Sequence, residues 1–573
     1  METVTKYTSK FISVNSYAIR FILNVIENGH NKLYQLLKTL NLIPPKYINS
    51  INDFENQLKT YSPFSLIAFS LILILLYYLI IALFKTIKNI FDFLANFKEN
   101  LYNLYFKLPG SKAKLAGTKM KIKEEFTKTF NSNKYKKIEF HDNKQDYTKV
   151  LAKMEQNVSN DNTKSSCGKL TGTVYCDSDQ IKYIGGEAAK MFLYSNLLHT
   201  DIYSYSRYIE SELIKIGVDL FNGGNDACGM TTNGGTMSII NAIYAYYIRG
   251  KNMGIKEPEL IIPISSHAAF EKTCQMFSIK CIKIPLNKKD YKVNLKLVER
   301  NITKNTICIV GSFPNFPHGI SDDIESLSKL ALKYKKPLHV DCCLGGFLVA
   351  FHERAGILNT PLFDFRLPGV TSISCDLHKY GLCPKGISLL LFSNHEYRKN
   401  IFFSFPRWMG GVYITPSFEG SRTGSLIASS YAILTSMGKE FYANNAKLIY
   451  NAVNKVKEFA RKECDLLEVI GDPFICGVSF TSKYVANFYD LLSEKGYHIN
   501  FLNEPAAFGY IFTSANVQNV DQYIKDLKEI NDRIKKEKPN KISYTAKLYG
   551  MSFSLPESIA RNTLDVIGDA FLD

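Results

Sequence analysis

The apolar residues between about residue 169 and residue 430 follow two alternating patterns. Short β-prone runs, such as 259–264, 306–310 and 338–340, are separated by stretches in which apolar residues recur at three- and four-residue steps. Strand runs that alternate with helical stretches are typical of a three-layer α/β domain with a mostly parallel sheet. We therefore predict a large domain of this class over residues 169–430.

The pattern changes after residue 430. Helical spacing occupies 445–462, and short strand-like runs occupy 478–481 and 506–512. Short strands that follow a long helix indicate a smaller α+β domain. We predict this second domain over residues 431–573.

Residues 61–84 contain no charged side chain. A helix of this length spans the roughly 30 Å of hydrocarbon in a bilayer. A buried core helix is the alternative, although such helices rarely lack charge for so long, and a cleaved signal peptide is disfavoured because residues 1–60 precede the run. We predict one transmembrane helix at 61–84. Residues 1–60 have a helix-like apolar face and form an amphipathic segment that would lie on the membrane surface or against a partner helix.

The segment after the predicted span is rich in lysine. Ten lysines and only two acidic residues lie between Lys107 and Lys137. An excess of lysine beside a span favours the cytosolic side of the membrane. We therefore predict a basic connector at 85–168 and a single-pass membrane protein with residues 85–573 in the cytosol. The charge pattern does not select the organelle, which we expect to be the endoplasmic reticulum.

The composition excludes few functions. A net charge of +17 is compatible with nucleic-acid binding, but no nucleic-acid motif accompanies it, and the lysines near the span account for part of the excess. The twelve cysteines begin at Cys167 and form no Cys-x-x-Cys sets, although Cys342 and Cys343 are adjacent. This spacing favours reduced thiols over a zinc site or a disulfide framework. We predict no metal site and no nucleic-acid partner.

The most informative chemical signal is the pair His378-Lys379, which follows the β-prone run 370–374. A lysine forms an imine with an aldehyde more readily when its pKa is lowered, and burial, His378 and nearby Lys385 would each lower the pKa of Lys379. Most His-Lys pairs are solvated surface residues, so this pair requires support from other residues.

Asp341 provides the first support, because it ends the apolar run 338–340 and is followed by small residues. A carboxylate at the end of a buried strand is costly without a cationic partner. The pyridinium nitrogen of pyridoxal phosphate is such a partner, and an aspartate keeps that ring protonated so that it accepts electrons. An aspartate that caps the next turn is the alternative.

Gly234, Gly235 and Thr236 precede a stretch with helical spacing, so they are predicted to lie at a helix N-terminus, where unpaired backbone N–H groups bind anions such as phosphate. A simple turn with an N-cap is the alternative. His267 follows another apolar run, where its flat ring is placed to stack on a cofactor. A histidine that is satisfied by neighbours at a helix N-terminus is the alternative there.

The chain order of these four elements is phosphate loop, stacking histidine, ring-nitrogen aspartate and imine-forming lysine. This order resembles that of the fold-type I pyridoxal phosphate enzymes, and within them the sphingosine-1-phosphate lyases. The other sequence segments that match the family are 172–175, 195–199, 221–224, 314–319, 379–386 and 420–424. The resemblance extends from about Lys169 to near the carboxyl end. It is specific to the lyases, because the related amino-acid decarboxylases differ around 314–319 and 420–424.

The resemblance implies a homodimer with each active site at the subunit interface. It implies that pyridoxal 5′-phosphate assists cleavage of the C2–C3 bond of sphingosine 1-phosphate, or of its saturated relative, to a long-chain aldehyde and phosphoethanolamine. The implied catalytic residues are Lys379, Asp341, His267, Tyr175 and Lys385. The implied cofactor contacts are Lys379, Gly234, Gly235, Thr236, His267, Asp341, His378 and Ser421, and the implied substrate contacts are Asn196, His199 and Arg422.

The chain departs from the family pattern at Met237, where an acidic residue is usual, at Leu197, where proline is usual, and at Cys375, where a small residue is common. Two other functions stay open. An amino-acid decarboxylase would use the same cofactor, and a catalytically silent membrane scaffold would keep the same fold. The intact Lys379 and Asp341 argue against a silent scaffold.

Overall fold

The computed structural model describes residues 143–539, together with isolated positions between 72 and 124 and between 561 and 568. The predicted amphipathic segment at 1–60 lies outside the described residues, and so does the transmembrane helix at 61–84, apart from isolated helical positions between 72 and 83. Within the part of the chain that is described, no helix is long and apolar enough to cross a membrane.

The elements up to residue 415 are, in chain order, α1 (Tyr147–Ser165), α2 (Asp179–Met191), α3 (Ser204–Leu220), β1 (Cys228–Thr232), α4 (Gly235–Asn252), β2 (Glu259–Pro263), α5 (Ala269–Phe277), β3 (Lys280–Ile284), α6 (Leu295–Asn301), β4 (Thr306–Ser312), α7 (Ile324–Tyr334), β5 (Leu338–Asp341), α8 (Gly346–Val349), β6 (Val370–Cys375), β7 (Ser388–Phe392), α9 (His395–Arg398), β8 (Phe403–Trp408) and β9 (Gly411–Thr415). The later elements are α10 (Gly424–Glu463), β10 (Glu468–Val469), β11 (Gly477–Thr481), α11 (Val485–Glu494), β12 (Asn500–Asn503), β13 (Ala506–Ile511) and α12 (Val520–Glu537). Short 3-10 turns lie at Lys399–Ile401 and Val517–Asn519.

Seven strands form the main sheet, in the order β1-β7-β6-β5-β4-β2-β3. Strand β7 is antiparallel to both of its neighbours, β1 and β6. The other neighbouring pairs are parallel. The mostly parallel sheet predicted from the sequence is therefore confirmed. Because every strand except β7 runs in the same direction, the carboxyl ends of β1, β2, β5 and β6 lie at one edge, where ligands bind in open α/β sheets.

Apolar side chains cover both faces of this sheet. Along β7, Leu389 and Leu391 belong to one buried cluster, whereas Leu390 and Phe392 belong to another. Successive side chains of a strand point to opposite faces, so two clusters require a packed layer on each side. Helix α4 contributes Ile239 and its neighbours to the second cluster. The predicted three-layer arrangement is confirmed.

The second sheet contains four antiparallel strands in the order β10-β11-β13-β12. Its strands β11 and β13 correspond to the runs predicted at 478–481 and 506–512. The predicted helix at 445–462 lies inside α10, which is interrupted at Gly438, where φ is +71°. Since α10 begins at Gly424 and continues past residue 430, the two regions share one helix, and the boundary at 430 stays a prediction.

Candidate active site

Lys379 lies in the turn that follows β6. Its Nζ atom is 2.9 Å from Oδ2 of Asp376, and Nε2 of His378 is 3.5 Å from the same oxygen. The Asp376 side chain is only 4% exposed. Because β6 ends at Cys375, strand pairing fixes Asp376 directly after the sheet. Asp376 was not among the residues that the sequence indicated, although its position three residues before Lys379 was a usable signal.

The pKa of Lys379 differs from the sequence-based expectation. Burial by itself lowers this pKa, but the Asp376 carboxylate raises it, and the net pKa lies above the ordinary value of a lysine. The lowered pKa expected from the sequence is therefore wrong for the unbonded lysine, because that argument left out Asp376. Burial does lower the pKa of His378.

Lys385 and Tyr175 lie beside this turn. Lys385 donates a hydrogen bond from Nζ to the carbonyl oxygen of His378 at 3.4 Å, and its Nζ lies 4.6 Å from the centroid of the Tyr175 ring. Burial, and then the charge of Lys379, lower the pKa of Lys385. Burial raises the pKa of Tyr175, which therefore stays protonated at neutral pH. A cavity of about 410 Å³ opens here, and its lining includes Tyr175, His378, Lys385, Ile181, Leu382 and Ile433.

The predicted phosphate loop packs against the Lys379 turn. Gly234 has φ +84° and precedes α4, as the sequence predicted. A side-chain carbon at Gly235 would lie 2.7 Å from Oδ1 of Asp376 and 3.0 Å from Sγ of Cys343, so only glycine fits without displacing a neighbour. Thr236 follows in the first turn of α4 and is half-buried. The first amides of this helix lack intrahelical acceptors and are suited to an anion.

A chain of hydroxyl groups connects the phosphate loop with β6. Thr232 and Ser238 are hydrogen-bonded through their hydroxyls at 2.6 Å, and Ser238 is bonded to the Ser388 hydroxyl at 2.9 Å. Ser388 donates in turn to the carbonyl oxygen of Cys375 at 3.0 Å. No local sequence pattern indicates these contacts, because Ser238 and Ser388 are 150 residues apart.

Asp341 ends β5 and is buried. Its Oδ1 atom accepts hydrogen bonds from the backbone N–H of Cys343 at 3.0 Å and from the Ser374 hydroxyl at 3.2 Å. The first bond is the turn-capping alternative considered from the sequence. Both bonds fall on Oδ1, and within residues 143–539 no bond occupies Oδ2, so that oxygen can meet a ring nitrogen. Burial lowers the pKa of neighbouring His339 to about 4, so His339 is neutral.

Two of the residues that the sequence indicated, His267 and His199, are exposed histidines. His267 follows β2 at the same edge of the sheet, and its Nδ1 accepts a hydrogen bond from the Ala269 amide at 3.2 Å. This contact is the helix-terminal alternative considered from the sequence, and stacking of His267 on a cofactor stays a prediction. His199 is bonded through its backbone N–H to the Asn196 carbonyl oxygen at 3.1 Å, and its side chain faces solvent.

Asn196, Ser421 and Arg422 form a second group. Asn196 donates from Nδ2 to the Ser421 hydroxyl at 2.9 Å, and the Leu197 amide donates to the Arg422 carbonyl oxygen at 2.9 Å. The Arg422 guanidinium lies 2.6 Å and 3.3 Å from the two carboxylate oxygens of Glu210.

Arg422 also donates to the Thr231 hydroxyl at 3.0 Å, and Thr231 belongs to β1, which leads into the phosphate loop. A bidentate ion pair of this kind uses two N–H groups at one edge of the planar guanidinium. In this structure Arg422 therefore holds β1 and the 420–424 turn together. The Glu210 contact was not expected from the sequence, and the role of Arg422 as a substrate contact stays a prediction.

The residues present fit pyridoxal phosphate. A side chain on Gly235 would fill the space beside the loop, Lys379 faces that loop through Asp376, and Asp341 keeps one carboxylate oxygen for a ring nitrogen. Lys379 is the nucleophile suited to an aldehyde, and the start of α4 is the anion site suited to a phosphate.

Comparisons with known proteins agree with this arrangement. The conserved domain of pyridoxal-dependent decarboxylases matches residues 216–483. Sphingosine-1-phosphate lyase of Saccharomyces cerevisiae is 40% identical over 416 residues, which cover 71% of this chain and 69% of that protein. The Arabidopsis thaliana enzyme is 40% identical over 436 residues, which cover 74% of this chain and 78% of that protein.

Solved structures give the same result. A sphingosine-1-phosphate lyase from Burkholderia pseudomallei has a TM-score of 0.67 and 33% identity, and the match covers 69% of this chain and 93% of that one. Glutamate decarboxylase of Lactobacillus brevis, at 20% identity and a TM-score of 0.58, shares the fold. Because identity near 40% extends over more than two thirds of both chains, this chain belongs to the sphingosine-1-phosphate lyase family.

Proposed function

We propose that this chain cleaves the C2–C3 bond of sphingosine 1-phosphate, and of its dihydro relative, to a long-chain aldehyde and phosphoethanolamine. The observation that carries the proposal is the Lys379 turn, which faces a glycine phosphate loop in a member of this family. Pyridoxal 5′-phosphate is the cofactor, and when bound it supplies an electron sink for the cleaved bond.

The residues of the chain have separable roles in this proposal. Lys379 would hold the cofactor covalently, and the Asp341 carboxylate would keep a proton on its ring nitrogen. The first amides of α4, with Gly234, Gly235 and Thr236, bind the cofactor phosphate together with His378 and Ser421. The residues proposed to contact the substrate are Tyr175, Lys385, Asn196 and His199. His267 is proposed to act through the cofactor ring.

Lys385 and Tyr175 are suited to handle protons. The lowered pKa of Lys385 raises the fraction of neutral amine, which can accept the C3 hydroxyl proton at Nζ. Tyr175, whose pKa is raised by burial, keeps its hydroxyl proton and can donate to a phosphate oxygen. Arg422 acts indirectly, because its guanidinium is held by Glu210.

Incubation of the purified protein and pyridoxal phosphate with sphingosine 1-phosphate is expected to release phosphoethanolamine and a long-chain aldehyde in equal amounts. Mass spectrometry measures both products. Unphosphorylated sphingosine is the matched control substrate, and it is expected to react far more slowly because it lacks the charged group. Release of carbon dioxide from amino acids, with the lipid left intact, would instead establish a decarboxylase.

We also propose that the active chain is a homodimer with active sites at the interface. Support comes from the hairpin β8–β9, whose exposed apolar side chains are Phe403, Phe405, Trp408, Met409, Val412 and Ile414. A two-stranded ribbon is marginally stable in water on its own, and a contiguous apolar patch favours a partner surface. The hairpin leads directly into the 420–424 turn, which contains Ser421.

The double variant Val412→Lys/Ile414→Lys is expected to be monomeric, because two charged groups would have to be buried in the proposed interface. Sedimentation velocity measures the mass of the particle. Leu332→Lys, on the exposed face of α7, is the matched control and is expected to stay dimeric. A hairpin variant that sediments as a dimer contradicts this interface.

The membrane topology is a proposal as well. The uncharged residues 61–84 and the lysines that follow support a single span in the endoplasmic reticulum membrane, with the catalytic part in the cytosol. A lipid substrate that resides in a bilayer gives such an anchor a function.

A further inference from the structure

The carboxylate of Asp376 has an unusual set of neighbours. Its Oδ2 atom lies 2.9 Å from Nζ of Lys379 and 3.5 Å from Nε2 of His378. Its Oδ1 atom is buried and has no hydrogen-bond partner within the described residues. Gly235 packs against this same oxygen, since a side-chain carbon there would approach it to 2.7 Å. One buried carboxylate therefore contacts the reactive lysine, its neighbouring histidine and the phosphate loop.

Such a carboxylate is costly to the fold. An ionised oxygen that is removed from water and left without a donor destabilises a protein, because its lost hydration is not replaced. The charge also lies beside a loop that is suited to bind a phosphate, which would be repelled by a second anion. The ion pair with Lys379 compensates for part of this cost.

The other titratable groups that face Lys379 do not replace this charge. Burial raises the pKa of Tyr175 and of Cys343, so both are neutral near pH 7. Burial lowers the pKa of His378, so this ring contributes little positive charge, while Lys385 carries the same charge sign as Lys379 when protonated. The negative charge next to Lys379 therefore comes from Asp376.

We propose that Asp376 is a positioning residue that holds Lys379 as an ammonium ion against the phosphate loop whenever this lysine is not bonded to the cofactor. The inference rests on the proposed function and deepens it. A lysine that is displaced by substrate then retains a proton. When C2 of the substrate must be protonated, an N–H bond of Lys379 breaks, a C2–H bond forms, and Lys379 becomes the neutral amine that bonds the cofactor again.

The variant Asp376→Asn tests this role, because it keeps the shape of the side chain and removes its charge. Cofactor-free protein is mixed with pyridoxal phosphate at about pH 6–10, and the rate of covalent capture is followed by absorbance. Only the neutral amine reacts, and it predominates above the pKa of Lys379. Loss of the carboxylate should move the capture profile at least about one unit to lower pH, which corresponds to roughly tenfold faster capture near pH 7.

Turnover of sphingosine 1-phosphate should fall in the same variant, because displaced Lys379 no longer retains its proton. Faster capture together with slower turnover is a pattern that a general loss of structure does not produce. Asp376→Glu keeps the negative charge, so its profile of capture rate against pH should not move to lower pH. Asp364→Asn is the matched control, since Asp364 is a buried carboxylate that is paired with Arg366 at 2.8 Å outside this site, and its capture profile should equal that of the wild type.

An unchanged or slower capture profile in Asp376→Asn overturns the inference. If that variant does not fold, reductive methylation of Lys379 in the wild-type protein gives a second test, and a midpoint below that of exposed lysines overturns the inference. Failure of the proposed function has a different signature: wild-type protein captures the cofactor on Lys379 with the expected profile but leaves sphingosine 1-phosphate intact.

Discussion

Replacement of Lys379 by arginine is expected to abolish covalent capture of the cofactor and to lower turnover by at least about 10³-fold. Arginine keeps the positive charge that pairs with Asp376, so the turn after β6 should retain its conformation. A guanidinium stays protonated at every accessible pH and does not attack an aldehyde. The variant therefore separates the chemistry of Lys379 from its charge.

Borohydride reduction followed by peptide mapping measures where the cofactor is attached. In the wild-type protein the label should be found on Lys379, and in Lys379→Arg no lysine should carry it. Lys182→Arg is the matched control, because Lys182 lines the cavity near Tyr175 and is paired with Asp177 at 2.9 Å. Recovery of the label on Lys385 in the wild-type protein would refute the assignment.

The sequence predicted the main elements because local patterns determined them. The runs at 338–340 and 370–374 are buried strands that pair with each other, and Gly235 begins a helix as the two adjacent glycines indicated. The ends of these strands lie at one edge because parallel strands share a direction, and this brings Asp341 and the Lys379 turn to the same edge.

What the sequence did not predict depends on pairing between distant residues. Nothing local indicates that β7 runs against its neighbours or that Ser388 connects α4 with β6. The ion pair of Arg422 with Glu210 joins residues that are more than two hundred positions apart, so the sequence did not indicate that this arginine has a partner. The pKa of Lys379 differs from the expectation for another reason: Asp376, only three residues before Lys379, raises it, and the expectation considered only burial, His378 and Lys385.

The two carboxylates of the site differ in what surrounds them, and this difference assigns their roles. Asp376 pairs with two side chains of its own turn. Asp341 instead receives neutral donors, the Cys343 amide and the Ser374 hydroxyl, on one oxygen. Among the described residues, no cationic side chain pairs with Asp341, and a carboxylate that is satisfied on one side only is suited to a cationic ring nitrogen.

Asp341→Asn is therefore expected to keep the fold and the bound cofactor while turnover falls by about 10- to 1000-fold. The asparagine carbonyl oxygen can still accept both hydrogen bonds, since both fall on Oδ1 in the structure. The lost charge matters because an adjacent anion shifts the pKa of a cationic partner by about 1–3 units, and each unit changes the protonated fraction about tenfold.

The measurement is kcat for phosphoethanolamine release, together with the absorbance of the cofactor as evidence that it remains attached to Lys379. Ser374→Ala is the matched control, because it removes one hydrogen bond to Asp341 and leaves the charge in place. Its loss should be the smaller of the two, since a neutral hydrogen bond contributes only about 0.5–1.5 kcal/mol. An Asp341→Asn enzyme that turns over at a rate near that of the wild type would show that another group protonates the ring.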